Sequence, residues 1–361
     1  MHQTKSRVRR HWSYLPLSQS QTPSPSPYGW NPRNWFQLGI LIVTLAIGFQ
    51  FYIYVHQASG NGNIAVSRPP GVEGFLPIGA LMGWKLFITT GVWDPIHPAA
   101  MVILGFAAVI SVALRKSFCA WFCPVGTISE WLWRFGRKMM GKNFLPPLWI
   151  DMSLRGAKYL LLAFFVWIIF SMSPPAIHEF LRSPYYQLSD VKMLFFFTRM
   201  SELTAMVLLV LVLGSLFIRN FWCRYLCPYG ALMGLLAMIG PTRINRCNET
   251  CIGCGRCTQV CPAYLPVQRK IHIISPECTG CMDCAAICPV PDTLQLKTHG
   301  RAWAALALGA TILLMFTVSV LAARITGHWQ GLVTDRQFRL QLLSIDSPQF
   351  THPGVEKRQG K

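Results

Sequence analysis

Long apolar stretches alternate with short polar ones along the chain, and this pattern predicts a helical membrane protein. A helix needs about 20 apolar residues to cross a bilayer, and five stretches approach or exceed that length. They are residues 35–55, 99–114, 159–172, 203–218 and 302–323. A sixth stretch, residues 75–93, is interrupted by Pro77 and Lys85, so we expect it to be re-entrant or interfacial.

The composition supports this interpretation. Hydrophobic residues make up 52% of the 361 residues, charged residues only 13%, and the mean hydropathy is +0.36. These values are too apolar for a soluble protein of this size. The net charge is +19, but the basic residues flank the apolar stretches and no RNA-binding motif accompanies them. We therefore expect contact with membrane lipid and none with nucleic acid.

The distribution of Lys and Arg predicts the topology, because these residues accumulate in cytoplasmic segments. Three basic segments lie before the first stretch, after the second and after the fourth. The 13 cysteines fall in segments assigned to the same side, where a reducing cytosol keeps thiols free. The prediction is a multi-pass protein of the bacterial inner (cytoplasmic) membrane, with five spans, the N-terminus in the cytoplasm and the C-terminus in the periplasm.

Two cysteine runs near the C-terminal end carry the clearest chemistry. Each has the spacing C-x2-C-x2-C-x3-C-P, which in bacterial ferredoxins holds a [4Fe-4S] cluster, with the fourth cysteine of each run reaching the other cluster. A zinc site needs two separated cysteine pairs and no third cysteine followed by C-P. The predicted ligand sets are therefore crossed. Cys251, Cys254, Cys257 and Cys288 would hold cluster 1, and Cys278, Cys281, Cys284 and Cys261 would hold cluster 2.

A second cysteine pattern occurs twice. Residues 118–126 and 222–230 share the order aromatic, Cys, aromatic, Cys, Pro and Gly, and two predicted spans separate them, so both copies lie on one membrane face. Three interpretations remain open for their cysteines: ligands of a further metal centre, redox-active dithiols, or small buried residues. These cysteines are Cys119, Cys123, Cys223 and Cys227. Cys247 stands alone and has no predicted role as a ligand.

Two C-x3-C-P repeats followed by a double ferredoxin motif resemble the NosR/NapH/CcoG group of bacterial membrane polyferredoxins, over about residues 35–323. The resemblance implies electron transfer, and NapH-like members are implicated in moving electrons from quinol toward periplasmic reductases. NosR-like members add a periplasmic flavin-binding domain and CcoG-like members a C-terminal immunoglobulin-like domain. The short outer loop and tail of this chain leave room for neither, so NapH-like members are the best match.

The predicted fold is an α-helical integral membrane protein of about five transmembrane helices with an inserted cytoplasmic α+β module of the bacterial two-cluster ferredoxin type. The domain boundaries follow from the motifs. They are a disordered basic cytoplasmic leader at 1–34, a membrane domain at 35–240, the ferredoxin domain at 241–300, a last transmembrane helix at 301–324 and a periplasmic tail at 325–361.

The predicted function is electron transfer between a quinol pool or soluble donor and a membrane or periplasmic redox partner such as a cytochrome, a reductase or an oxidase component. The sequence shows no nucleophile or phosphate-binding loop, so we expect an electron-transfer subunit, such as a quinol dehydrogenase component, rather than a stand-alone enzyme. The alternative is a redox-dependent maturation or regulatory factor for a respiratory metalloenzyme. Quinol oxidation needs carboxylates or imidazoles that accept protons near the bilayer edge, and polar groups on the predicted outer face are candidates for this role or, equally, for helix caps and hydrated interfacial residues. These groups are Glu73, Asp94, His97, His178 and Glu179, with Arg199 and Glu202 near the outer end of the fourth span.

Overall fold

A computed structural model describes residues 31–60 and 63–350 of the protein, and its secondary structure is mostly helical. The helices are α1 Pro32–Ser59, α2 Pro77–Thr90, α3 Pro98–Ala113, α4 Pro124–Met140, α5 Leu148–Ser171, α6 Pro174–Arg182, α7 Pro184–Gln187, α8 Ser189–Thr198, α9 Glu202–Phe217, α10 Phe221–Tyr225, α11 Pro228–Ile239, α12 Arg256–Val260, α13 Asp283–Ala286, α14 Ala305–Ile325 and α15 Asp335–Leu343. The strands are β1 Arg243–Arg246, β2 His272–Ile273, β3 Leu294–Thr298 and β4 Arg301–Ala302. Short helical turns cover Pro70–Phe75, Phe118–Phe122, Val267–Arg269 and Pro348–Phe350.

Three of the described helices, α1, α5 and α14, are long and apolar enough to cross a membrane. Helices α1 and α14 coincide with the first and fifth predicted spans, and α5 contains most of the third but begins earlier, at Leu148. The second and fourth coincide with α3 and α9, which have only 16 residues each. Helix α9 meets α8 at a bend of 78°, so the two together have the length of one broken span. Residues 75–93 form mainly the 14-residue helix α2, which is too short to cross alone.

Proline at the first helical position begins several of these helices. Proline suits this position because its fixed φ is helical and its missing N–H would have no partner there. In the two C-x3-C-P repeats, Pro124 begins α4 and Pro228 begins α11. Cys123 and Cys227 consequently occupy the residue just before a helix, where the chain turns.

The ferredoxin segment contains an antiparallel sheet with the strand order β2–β1–β3–β4. Ile244 of β1 pairs with Ile273 of β2 on one side and with Leu296 of β3 on the other. All three side chains are buried and contact α-helical residues of the membrane domain in one continuous core. A segment this small buries little core of its own, so the membrane helices complete it.

Close backbone contact joins the two parts. A Cβ on Gly234 in α11 would lie only 2.5 Å from the carbonyl oxygen of Pro276, so only glycine fits at this crossing. Arg115 donates hydrogen bonds to the carbonyls of Ala237 and Ser275, which ties the end of α3 to both α11 and the ferredoxin segment. The ferredoxin segment is therefore packed against the membrane helices, and this packing sets its position relative to the C-x3-C-P repeats.

The structure describes parts of the predicted leader and of the predicted tail. Helix α1 begins at Pro32, so Arg33 and Asn34, which the sequence assigned to the leader, are helical and buried. The rest of the predicted leader, residues 1–30, lies outside the described residues. The predicted tail contains the ordered helix α15, and its Asp335 accepts a hydrogen bond from Tyr54 at 2.8 Å.

Candidate iron–sulfur site

The cysteines of the two runs line two separate cavities. The first cavity is lined by Cys251, Cys254, Cys257 and Cys288, and the second by Cys261, Cys278, Cys281 and Cys284. In each case three cysteines come from one run and the fourth from the other. The structure thus brings together the same crossed sets that the ferredoxin spacing predicts.

Local backbone geometry points the cysteines into these cavities. Gly255 has a φ of +72° immediately before α12, and Gly280 has a φ of +64° between Cys278 and Cys281. A positive φ favours glycine because a side chain would clash with the backbone. These turns fold each C-x2-C-x2-C run back on itself, while helix α12 carries the chain on to Cys261 at the other cavity.

The two cavities differ in exposure. Cys261, Cys278 and Cys284 around the second cavity are buried, and burial raises the pKa of Cys261 to about 11. The first cavity has partly exposed cysteines, and its lining residue Ile252 is 65% exposed. The cysteines of the first cavity are therefore more exposed to solvent than those of the second, which lie in the core shared with the membrane domain.

Several polar contacts fix the second cavity against that domain. Arg219 donates from Nη1 to the carbonyl oxygens of Gln259 and Cys261, at 2.8 and 3.2 Å. Lys158 lies 2.6 Å from a carboxylate oxygen of Glu277, which directly precedes Cys278. These contacts hold both chain segments that bring cysteines to the second cavity.

The C-x3-C-P repeats meet each other beside the second cavity. Phe118 of the first repeat and Tyr229 of the second pack edge to face with ring centroids 5.8 Å apart. The Gly230 N–H donates to the Cys227 thiol at 3.2 Å. Burial raises the pKa of Cys223, and the neighbouring Cys227, Cys123 and Cys119 raise it further.

Among the described residues, no three His, Cys, Asp or Glu side chains lie close enough together to hold a single metal ion. This statement covers the ferredoxin runs as well as the repeats. Cys247 is exposed and does not line either cavity.

Comparison with known proteins identifies the family. A model described as a 4Fe-4S binding domain matches residues 96–143 and again 202–247, and a 4Fe-4S dicluster domain matches residues 243–289. The candidate electron transport protein YccM of Escherichia coli (strain K12) is 42% identical over 315 residues, which cover 85% of this chain and 88% of YccM. The chain belongs to the family of membrane ferredoxin-type electron transport proteins.

Other members of this ferredoxin-type family are more distant. The ferredoxin-type protein NapH of Haemophilus influenzae is 25% identical over 264 residues, which cover 69% of this chain and 82% of NapH. The regulatory protein NosR of Pseudomonas aeruginosa is 30% identical over 187 residues, 51% of this chain but only 24% of NosR. The resemblance inferred from the motifs is thus confirmed for NapH and NosR. No solved structure matches the chain.

A buried ionic network that no sequence motif indicates lies beside the second cavity. Arg33 contacts Glu130 of α4 at 2.6 Å and Asp283 of α13 at 3.0 Å. Asp283 lies between Cys281 and Cys284, so the network joins the first membrane helix directly to a cysteine run. The only sequence signal is a polar pair, Arg33-Asn34, at the edge of an apolar stretch.

The predicted outer-face polar groups behave in two ways. Glu73, Asp94 and His97 are buried close together. The hydroxyl of Tyr186 donates a hydrogen bond to Asp94, and the backbone carbonyl of Tyr186 is hydrogen-bonded to the ring of His97. In contrast, Glu179, Arg199 and Glu202 are exposed and His178 is half-buried. The structure therefore groups three of the seven candidates and leaves four apart from them.

Proposed function

We propose that this protein carries electrons through two [4Fe-4S] clusters held on one face of a membrane domain. The observation that carries the proposal is the pair of cavities, each lined by four cysteines in the crossed pattern. Thiolates at this spacing bind cubane clusters, and such clusters transfer single electrons. Cys251, Cys254, Cys257 and Cys288 hold cluster 1, and Cys278, Cys281, Cys284 and Cys261 hold cluster 2.

The two clusters occupy different positions on the electron path. Cluster 1 lies near the solvent, where a soluble or membrane-associated redox protein can approach beside Ile252. Cluster 2 lies against the C-x3-C-P repeats and the ends of the membrane helices, so it faces the lipid-embedded part of the chain. Electrons therefore pass between a partner protein at cluster 1 and a membrane-side donor or acceptor at cluster 2.

The full topology is part of the proposal. Five spans place the N-terminus and the ferredoxin module in the cytoplasm and the C-terminus in the periplasm of an inner membrane. The basic loops support this orientation, and α3 and the bent pair α8–α9 supply the two short spans. Cysteine-scanning with a membrane-impermeant thiol reagent on intact cells tests it: a cysteine introduced at the exposed Glu179 is labelled, whereas one introduced at Lys142 is not.

Anaerobic purification followed by iron and acid-labile sulfide analysis tests the clusters, and EPR spectroscopy of the reduced protein tests their ligands. Single Cys→Ser substitutions distinguish crossed ligand sets, in which each run supplies one cysteine to the other cluster, from uncrossed ones. If the sets are crossed, Cys261→Ser disturbs the same EPR signal as Cys278→Ser, and Cys288→Ser disturbs the same signal as Cys251→Ser. Cys247→Ser is the matched control and leaves both signals unchanged. Protein with stoichiometric zinc and no labile sulfide would refute the proposal.

The membrane-side partner in the proposal is a quinol. If the protein accepts electrons from quinol, the clusters become reduced when proteoliposomes that contain it are rapidly mixed with a reduced short-chain quinone. If quinol does not reduce the clusters while dithionite does, the maturation or regulatory role becomes the better interpretation. The match to the regulatory protein NosR spans too little of that protein to favour this second role on its own.

A further inference from the structure

We propose that the exposed surface beside the first cavity is the docking site of a soluble electron-transfer protein whose own contact surface is acidic. This surface, the cluster 1 face, consists of Arg246, Ile252, Arg256, Lys270 and Ile271. The proposal rests on the proposed function, because it names the kind of protein that exchanges electrons with cluster 1. One electron passes between the partner's cofactor and the cluster, so one of the two is oxidised as the other is reduced.

Two hydrogen bonds and the shared cavity place these side chains together. Arg246 and Ile252 both line the first cavity. The backbone N–H of Arg246 donates to the carbonyl of Ile271 at 2.8 Å, and its side-chain Nε donates to the carbonyl of Lys270 at 3.3 Å. Arg256 stands between two further lining residues of the same cavity. The cluster 1 face therefore borders the cysteines that bind cluster 1.

The apolar part of this face is exposed. Ile252 and Ile271 are 65% and 53% exposed, although isoleucine is among the residue types most often buried. Neighbouring exposed apolar side chains with polar residues around them mark sites of protein interaction. Interfaces between proteins have an apolar centre and a polar rim, and complexes of electron-transfer proteins are small. The two isoleucines fit such a centre, and the basic side chains fit its rim.

The charge of the ferredoxin segment indicates the sign of the partner. Residues 241–300 contain six Lys and Arg side chains and four carboxylates. Two of the carboxylates, those of Glu277 and Asp283, are paired with cations of the membrane domain. Only Glu249 and Asp292, both exposed, remain to balance the six cations. The surface that this segment presents to solvent is consequently basic.

The basic side chains of the face are available to a partner. In the part of the chain that the structure describes, no carboxylate lies within ion-pairing distance of Arg246, Arg256 or Lys270. Clustered charges of one sign attract a protein of the opposite sign and accelerate its association. An exposed ion pair contributes little by itself, so several such contacts act together in a reversible, salt-sensitive complex.

The contacts with the membrane domain favour a soluble protein over lipid headgroups as the occupant. Ser275, Glu277 and Gly280 make hydrogen bonds or ion pairs with membrane helices and the first repeat, and they lie in or next to the loop of cluster 2. The residues that line the first cavity make none of these contacts. The membrane domain thus leaves the cluster 1 face open to a protein that approaches from solvent.

Isothermal titration calorimetry tests the docking without net electron transfer. The oxidised full-length protein in phosphatidylcholine nanodiscs is titrated with oxidised flavodoxin, an acidic electron-transfer protein. We expect binding at low salt and a Kd about tenfold higher when the salt concentration rises from about 0.02 M to about 0.2 M, because salt screens exposed charges. Basic cytochrome c should not bind. Failure of flavodoxin to bind at low salt, or equal binding of cytochrome c, would overturn the proposal.

Two substitutions locate the binding surface. Lys270→Glu should raise the Kd for flavodoxin about tenfold at low salt, because attraction becomes repulsion. Ile271→Ser should raise the Kd at both salt concentrations, because it removes apolar contact area. Lys142→Glu and Leu340→Ser change an exposed lysine after α4 and a 61% exposed leucine of α15, and these matched controls should bind like the wild type. Wild-type affinity in both test variants would contradict the assigned surface.

Iron content separates this proposal from the proposed function. Both test variants should keep the iron content and the EPR signals of the wild type, which shows that their clusters and fold are intact. Wild-type protein with normal iron that does not bind flavodoxin would refute the docking site alone. Wild-type protein without iron and labile sulfide would refute the two-cluster function itself.

Hydrogen–deuterium exchange distinguishes protein from lipid on this face. Flavodoxin should slow exchange in residues 268–274 of the protein in phosphatidylcholine nanodiscs. Phosphatidylglycerol, added to the nanodiscs in place of flavodoxin, should leave this exchange unchanged. Equal protection by phosphatidylglycerol alone would show that anionic headgroups occupy the cluster 1 face, and this result would overturn the assignment to a soluble partner.

Discussion

The indole Nε1 of Trp121 donates a hydrogen bond to the backbone carbonyl of Gly280 at a distance of 3.2 Å. Trp121 belongs to the first C-x3-C-P repeat, and Gly280 precedes Cys281 in the second ferredoxin run. The ring is almost fully buried and packs edge to face on Phe36 of the first membrane helix. One side chain therefore connects the membrane domain, a repeat and the cluster 2 loop.

Replacing Trp121 with Phe tests this connection. The substitution keeps an aromatic ring but removes the donor, and a buried carbonyl without a partner costs about 1–3 kcal/mol. We expect the visible absorbance of the clusters to disappear at a lower temperature than in the wild type. Trp149→Phe, at a site that is 72% exposed, is the control and should leave the transition in place. Equal transitions in all three proteins would show that the hydrogen bond does not stabilise the docked module.

Arg33→Met should strongly destabilise the folded protein. It leaves the carboxylates of Glu130 and Asp283 buried without their shared cation, and removing one partner of a buried ion pair typically costs about 3–5 kcal/mol. The expected result is a large loss of iron and of purified protein. Adding Asp283→Asn to Arg33→Met removes one unpaired charge and should restore part of both quantities.

The exposed Arg324 in α14 offers a control for Arg33, since Arg324→Met removes a cation from another membrane helix. Normal iron content is expected in this variant. If Arg33→Met were equally harmless, the ionic network would have no part in holding the first helix against the cysteine run.

Glu277→Gln should loosen the contact between α5 and the ferredoxin module. Burial raises the pKa of Glu277, but the charges of Lys116 and Lys158 and the hydrogen bonds from Lys158 and Tyr159 outweigh it, so the net pKa is lowered. Because the pKa of Glu277 is lower in the folded protein, its ionised carboxylate stabilises the fold at pH values above the unfolded pKa. This stabilisation is lost as the pH falls through the folded pKa.

Limited proteolysis of the purified protein measures this effect. At neutral pH the Glu277→Gln variant should be cleaved faster between residues 241 and 300 than the wild type, because Lys158 loses its charged partner. Glu249→Gln changes an exposed carboxylate of the same module and should have no effect. Equal cleavage rates in both variants would contradict the docking role of Glu277.

The buried pair of His97 and Glu73 predicts that the segments packed around it open in a pH-dependent way. The two side chains are 3.3 Å apart. Burial lowers the pKa of His97, but Glu73 raises it by more, while burial raises the pKa of Glu73 despite His97. Both folded pKa values are therefore above their unfolded values, so the pair stabilises the fold at low pH and this contribution is lost as the pH rises through the folded values.

Hydrogen–deuterium exchange checks this prediction. After correction for intrinsic exchange, segments 70–75 and 184–189 should open more readily at pH about 8 than at pH about 6 in the wild type, since His97 has an unperturbed pKa near 6.5. His97→Gln can still hydrogen-bond to Tyr186 but removes the titration of the imidazole, so its opening should depend on pH less than that of the wild type, with Glu73 as the remaining titrating group. The same pH dependence in both proteins would exclude His97 as its source.

Several features follow from the sequence because they depend on local spacing. The C-x2-C-x2-C-x3-C-P runs specify which thiols can reach one cluster, whatever surrounds them. Apolar stretches locate the long helices α1 and α14 to within a few residues, because bilayer crossing depends mainly on length and composition. Helix α5 begins at Leu148, well before the predicted stretch 159–172, because its first turns are more polar. The family resemblance follows from the same motifs.

Other features depend on residues far apart in the chain and are decided by the tertiary structure. The contact of Arg33 with Asp283 joins positions 250 residues apart, and that of Lys158 with Glu277 joins positions 119 residues apart. No periodicity encodes such pairings, because each ionic partner is selected by how the helices pack. The sequence alone identified the eight ferredoxin cysteines as the predicted cluster ligands, because their spacing is local. Only the tertiary structure brings the two C-x3-C-P repeats together, at the contact between Phe118 and Tyr229, because that contact depends on how the helices pack.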